Sequence, residues 1–392
     1  MSASGLFDAE AEAARAGRLG CACPEDAPRA LRRALGIGRL AGGFALVVLA
    51  QALTLGALPL AGAMLAPRPE LAALPLAALL LGATLASLPA SFLLDTFGRR
   101  AAFALGASLG VAGGLVAAYA MMLGAFPMLV LGAAWLGAAQ GFGMFYRHAA
   151  AFGAASGMRA GMVARLIGAG ALAGFAGPLL AGMAEAALAP YTFAGTLLLA
   201  ALAQLGALGF AVALPQARFS HADLTVEAMA QPQERPAPLA WRALALPTLI
   251  GALAWGAMTS AMAGAPLSLA GCGLSVPLIS GVVAWHAVAM YAPALAGGVL
   301  ARWIGATPLA LLALALCAGA AVMVAQANEA LAISIAFLAV GAGWALASLA
   351  TTLMLHAGGA PSRLQLGVHD GVLLGGGAAR HAVVSVGGCE GR

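Results

Sequence analysis

Residues 91–103 read Ser-Phe-Leu-Leu-Asp-Thr-Phe-Gly-Arg-Arg-Ala-Ala-Phe, a short charged island between two apolar runs at 71–94 and 101–122. Each run is about 20 residues long, enough to cross a hydrocarbon core of about 30 Å as a helix. The island therefore reads as a tight turn at a membrane surface. Its glycine permits the reversal, and its aspartate and arginines hold the ends of two helices at the interface.

The rest of the chain repeats that pattern. Hydrophobic residues make up 62% of the 392 and charged residues only 8%, against about 25% charge in an ordinary soluble domain. A soluble chain of this length has no interior large enough for so much apolar surface, so the fold class is an all-α integral membrane protein. Apolar runs at 37–64, 71–94, 101–122, 126–146, 161–183 and 190–214 predict a first bundle of six helices. The stretch 215–241 turns polar and proline-bearing and reads as a linker on the cytoplasmic side. Runs at 242–265, 275–298, 305–325 and 330–356 predict four more helices within a second bundle, 242–392. Beyond about 364 the chain is glycine-rich and carries Asp370, Arg380 and His381, each costly in lipid. The expectation is that these residues interrupt what would be the last helices.

Charge excludes some functions and assigns topology. The formal net charge is +5, but the arginines fall singly or in pairs between apolar runs and build no basic stripe for nucleic acid. Residues 1–36 form a polar, arginine-bearing tail without a cleavable signal pattern. That tail, Arg99 with Arg100, Arg147 with Arg159, the linker, Arg302 and Arg363 all fall on one side of the alternation, and Arg68 alone falls on the other. Arginines collect in cytoplasmic loops, so the N-terminus is expected inside. The five cysteines are too scattered for a disulfide scaffold. Cys21 and Cys23 read as an unremarkable thiol pair, with a soft-metal contact as the alternative.

The island resembles the signature loop of the major facilitator superfamily, Gly-x-x-x-Asp-x-x-Gly-Arg-Arg. Asp95, Gly98, Arg99 and Arg100 match it, and Ser91 stands where the family has its leading glycine. The loop also lies between the second and third helices of a half that starts inside, where the superfamily carries it. The resemblance implies two helical bundles rocking about a central site, with the charged loop tying helices together in one state of the cycle.

Charged groups that could hold an organic acid or a nucleotide are almost absent from the predicted spans, since Arg147, Arg165 and Glu185 lie near helix ends. Two softer pairs stand out: Met258 with Met262 on the seventh helix, and His286 with Met290 on the eighth. Residues four apart share a helical face. Thioethers and imidazole suit Cu(I) far better than magnesium or calcium, although flexible methionines also commonly fill helix interfaces. Counted down from the outer boundary, Met262, Met258, His286 and Met290 lie about 6, 12, 18 and 24 Å deep. Met258 and His286 are the pair expected to share an ion near the membrane centre. Met144 with His148 and Met158 with Met162 repeat the spacing and read as packing.

The segment 255–291, together with AQGFGMFYRHAAA at 139–151, is similar to the CcoA-type copper importers of bacteria. That resemblance implies copper import across the inner membrane in support of cytochrome oxidase assembly. It assigns the ligand role to Met258, Met262, His286 and Met290, and a thiol role to Cys272. A second thiol of that family belongs in the first half, and this chain has no cysteine in its first six predicted helices. Copper would be cargo, so no cofactor is expected. The expected partners are the copper ion, the bilayer and a cytoplasmic copper chaperone, with no nucleic acid, and the chain is expected to be a monomer. A carrier of a neutral organic solute, such as a riboflavin-like vitamin or a drug, and a non-transporting membrane assembly factor remain as alternatives. An enzyme is not expected, since no nucleotide loop, zinc motif or triad spacing occurs.

Overall fold

The structure is a computed structural model that describes residues 36–152, 154, 156–215 and 238–380. Residues 1–35 of the tail, most of the linker and residues 381–392 lie outside it, and so do Cys21, Cys23 and His381.

Among the described residues, thirteen α-helices follow one another: α1 Ile37–Leu65, α2 Leu74–Leu123, α3 Phe126–Met144, α4 Tyr146–Ala151, α5 Ser156–Ala169, α6 Ala171–Ala187, α7 Ala194–Val212, α8 Trp241–Gly271, α9 Val276–Ala289, α10 Pro293–Ile304, α11 Ala306–Gln326, α12 Ala330–Ala357 and α13 Arg363–Arg380. Three pairs, α3 with α4, α5 with α6, and α9 with α10, each make one broken crossing. Nine helical stretches among the described residues are long and apolar enough to cross a membrane.

One of those stretches is two crossings. Gly98 breaks α2 with φ 83° and ψ 169°, a conformation open to glycine and strained for other residues. Both arms then pack on the same short helix. A Cβ on Gly137 of α3 would strike the backbone of Leu79 in the first arm, and one on Gly132 would meet Gly113 and Ala117 in the second. In a straight helix Leu79 and Gly113 would be about 50 Å apart, so α2 must fold back on itself. The turn expected from residues 91–103 is therefore present at Gly98.

The loop charges form a small lattice at this end. Arg39 donates to Ala213 O at 2.8 Å, Arg99 to Pro215 O at 3.0 Å and Arg100 to Val212 O at 2.7 Å. All three guanidinium groups meet the carboxyl end of α7, where the helix dipole favours cations. At the opposite end Glu185 accepts from Phe193 N, Thr196 N and Thr196 Oγ1 at 2.6–2.8 Å, which caps the first turn of α7.

Two expectations need correction. Residues 363–380 are helical, and Asp370 does not interrupt them. The helix rises about 27 Å and packs between the two halves, with Gly367 against Ser91 and Leu88, and Gly376 against Ala252. Asp370 is tolerated because it is fully buried against Arg147 and His148, so lipid never meets the charge. Arg147 is the second correction. It does lie near a helix end, in the first turn of α4, but there it is the buried partner of that carboxylate and not an interfacial anchor.

Candidate functional site

The middle of the molecule is where broken helices from the two halves cross. α9 ends at Ala289 and α10 starts at Pro293, and Tyr291 occupies the gap with its N–H bonded to Val288 O at 3.1 Å. α5 and α6 are broken at Gly170, where any Cβ would collide with the Tyr291 ring. Discontinuous helices at mid-depth expose backbone and side chains toward a shared cavity, and proline supplies one of these breaks.

Aromatic rings run through this crossing from one half to the other. Phe103 stacks on Tyr146 at 4.0 Å between centroids, and Tyr146 lies 6.2 Å from Phe44. Phe44 meets Tyr291 at 6.1 Å, Tyr291 meets Trp344 edge-on at 5.6 Å, and Trp344 meets Trp255 edge-on at 5.2 Å. Apart from the closer Phe103–Tyr146 stack, these separations are those of favourable aromatic pairs. Between the rings lies a small cavity whose polar lining is Gln51, Gln140, Arg147 and Ser348, with Trp255, Tyr291 and Trp344 on the second-half side. Its free space is about 30 Å³, room for a water molecule and not for an organic solute. The site is collapsed in this conformation.

Several polar atoms at this cavity have no partner. Gln140 Oε1 and Nε2, Arg147 Nε, Trp255 Nε1 and Trp344 Nε1 are buried without a hydrogen bond, each at a cost of roughly 1–3 kcal/mol. Nearby buried polar groups are paired: Thr351 and Thr352 bond carbonyls of their own helix at 2.8 Å. Five orphaned atoms on one cavity mark a place able to receive hydrogen bonds. They offer N–H donors from three residue types and one amide oxygen acceptor. Arg147 is already matched by Asp370, so the surroundings favour an uncharged guest over an anion.

None of the residues proposed from sequence as copper ligands is among the residues that line this cavity. Met258 and Met290 are buried, Met262 is half-buried, and His286 is fully buried. His286 is turned to α12: its Nδ1 lies 2.6 Å from Phe337 O and its ring stacks on Phe337 at 3.6 Å. Its Nε2 has no hydrogen-bond partner. Cys272 directly follows α8 and is disulfide-bonded, which corrects the free-thiol role expected of it. Among the described residues, no group of three or more His, Cys, Asp or Glu side chains is positioned to hold a metal ion.

Sequence reading did not single out Gln140, Tyr291, Trp255 or Trp344. The available signal was an amide, Gln140, inside an apolar run, and Pro293 breaking the eighth run.

The chain has the fold of the major facilitator superfamily. A xylose:proton symporter of E. coli, XylE, superimposes with a TM-score of 0.64 at 14% identity over 88% of this chain and 86% of that one. The human organic anion transporter MFSD10 gives 0.64 at 16% identity over 90% and 91%. In sequence, the riboflavin transporter RfnT of Brucella anthropi is 29% identical over 296 residues, 76% of this chain and 74% of its own length. No family model matches the chain.

Proposed function

We propose that this protein is an inner-membrane carrier of a flat, uncharged heteroaromatic solute of the riboflavin type, moved by alternating access. The observation that carries the reading is the set of orphaned polar atoms of Gln140, Arg147, Trp255 and Trp344 among the rings of Phe44, Tyr291 and Trp344. A conjugated ring system with carbonyl and N–H groups along one edge satisfies both features. Ring faces and edges pack on the aromatic side chains, and the carbonyls accept from the orphaned donors. Similarity to a riboflavin transporter along three quarters of the chain supports the same substrate class. The collapsed cavity belongs to a state between the open ones, and the broken crossings at Gly170 and Tyr291 are where it would widen.

Copper transport is the second reading. It is favoured by His286, whose Nδ1–H is directed at the Phe337 carbonyl while Nε2 is left without a partner, the arrangement that prepares an imidazole as a metal ligand.

Uptake of labelled riboflavin and of radioactive copper into proteoliposomes separates the two. Riboflavin accumulation that unlabelled riboflavin blocks and copper does not is the expected result. Copper accumulation without riboflavin uptake would replace the first reading with the second, and uptake of neither would favour a non-transporting role.

A further inference from the structure

Toward the end of the bundle that carries Asp95, the two halves are joined by a further group of buried polar side chains, which shares Arg147 with the central cavity. Arg147 and His148 come from α4 in the first half, while His356 closes α12 and His369 and Asp370 lie on α13 in the second. Arg147 Nη2 pairs with Asp370 Oδ1. His148 Nε2 lies 3.2 Å from Asp370 Oδ2, and its Nδ1 lies 3.1 Å from His356 Nε2. His369 Nδ1 meets Thr248 Oγ1 at 2.8 Å, and its Nε2 lies 4.0 Å from Asp370. His148, His369 and Asp370 are completely buried.

We propose that this cluster is a proton-binding latch, which holds the Asp95 end closed while its three imidazoles are neutral and lets that end open when they take up protons. Electrical balance gives the reason. One carboxylate and one guanidinium cancel, so every proton added to the closed cluster leaves a buried positive charge without a counter-ion, and such charges cost several kcal/mol. The groups facing the cluster do not relieve this. Arg159 on α5 donates to His356 O at 2.6 Å and adds another positive charge. α8 contributes the neutral Thr248, and the first arm of α2 contributes Ser87 and Ser91 beside Gly371 and Gly367. Asp95, further along that arm, is engaged by Arg363 at 3.2 Å. The cluster spans both halves, so it can exist only when this end is shut. When the halves part, the same imidazoles reach water, where an ordinary imidazole titrates near pH 6.5.

The sign follows from proton counting. The open form binds more protons below about pH 6.5, so acidification favours opening and neutral pH favours closure. Between pH 7.5 and 5.5 each imidazole that titrates only in the open form shifts the equilibrium about tenfold. The latch does not depend on which solute is carried.

The test uses the full chain in lipid nanodiscs, with its native cysteines replaced by alanine and spin labels at Gly38→Cys and Trp303→Cys, two exposed sites at this end on opposite halves. The distance distribution should gain a longer component on acidification, growing at least about tenfold between pH 7.5 and 5.5. At least one of the single variants His148→Gln, His356→Gln and His369→Gln should reduce that growth by about tenfold. No growth in the protein with its histidines intact, or equal growth in that protein and every variant that folds, would overturn the proposal.

Discussion

Arg363, the first residue of α13, donates from Nη1 to Asp95 Oδ2 at 3.2 Å, and its guanidinium lies 4.6 Å from the centroid of the Phe92 ring. The pair joins the signature loop of the first half to the second half. It is partly exposed, with Arg363 at 47% and Asp95 at 25%, and pairs of this kind are worth about 0.2–1 kcal/mol. Asp95→Asn should therefore slow solute uptake by a few fold without abolishing it. Arg363→Gln should do the same, and the double variant should be no slower than either alone. Initial uptake rates in proteoliposomes check this, and additive losses would separate the two residues.

Asp370→Asn leaves Arg147 buried without its counter-charge, a loss of about 3–5 kcal/mol when one partner of a buried pair is removed. We expect a sharp drop in the yield of monodisperse protein. Adding Arg147→Met should restore most of it, because two apolar or neutral groups in place of a buried pair are tolerated. Size-exclusion profiles of the two variants in detergent are the measurement.

Gln140→Leu should have opposite effects on stability and function. Removing two orphaned amide atoms from the collapsed cavity should stabilise the empty protein by roughly 1–3 kcal/mol, seen as a higher melting temperature. The same change should cut riboflavin uptake by about tenfold or more, since it deletes a solute hydrogen bond. A variant less stable than the parent would mean the amide has a structural partner.

Met258→Leu keeps volume nearly constant while removing the sulfur. For a riboflavin-type solute, uptake should stay within about twofold of the parent, because packing is preserved. Loss of copper uptake in the same variant would assign Met258 to a metal path. Paired uptake assays on one preparation read both.

Gly137→Ala should be far more damaging than Gly161→Ala. A Cβ at 137 has no room against the Leu79 backbone, whereas one at 161 meets nothing within 4 Å. Overpacking costs typically about 1–3 kcal/mol, and here the obstacle is main chain that cannot rotate away. Thermal melting of the two variants gives the comparison.

The membrane class, the position of ten crossings and the reversal at Gly98 were legible in residues 37–356, because hydrophobic length and charged interruptions are local properties that bilayer thickness converts directly into helices. The same local reasoning misjudged Asp370 and Arg147. Read alone, each charge argues against burial, and only the approach of α13 to α4 makes them one neutral pair. The His286 and Met258 spacing was equally visible, but one helix face does not say which neighbour it meets. The fold turns His286 to Phe337 on α12. The aromatic path from Phe103 to Trp255 draws single residues from five helices and one helix break. No periodicity within one segment could announce it. Sequence by itself determined that this chain crosses a membrane many times and where it turns. Tertiary structure alone decided which buried polar groups are paired across the halves and which are left facing the central cavity, because pairing depends on distances between helices far apart in the chain.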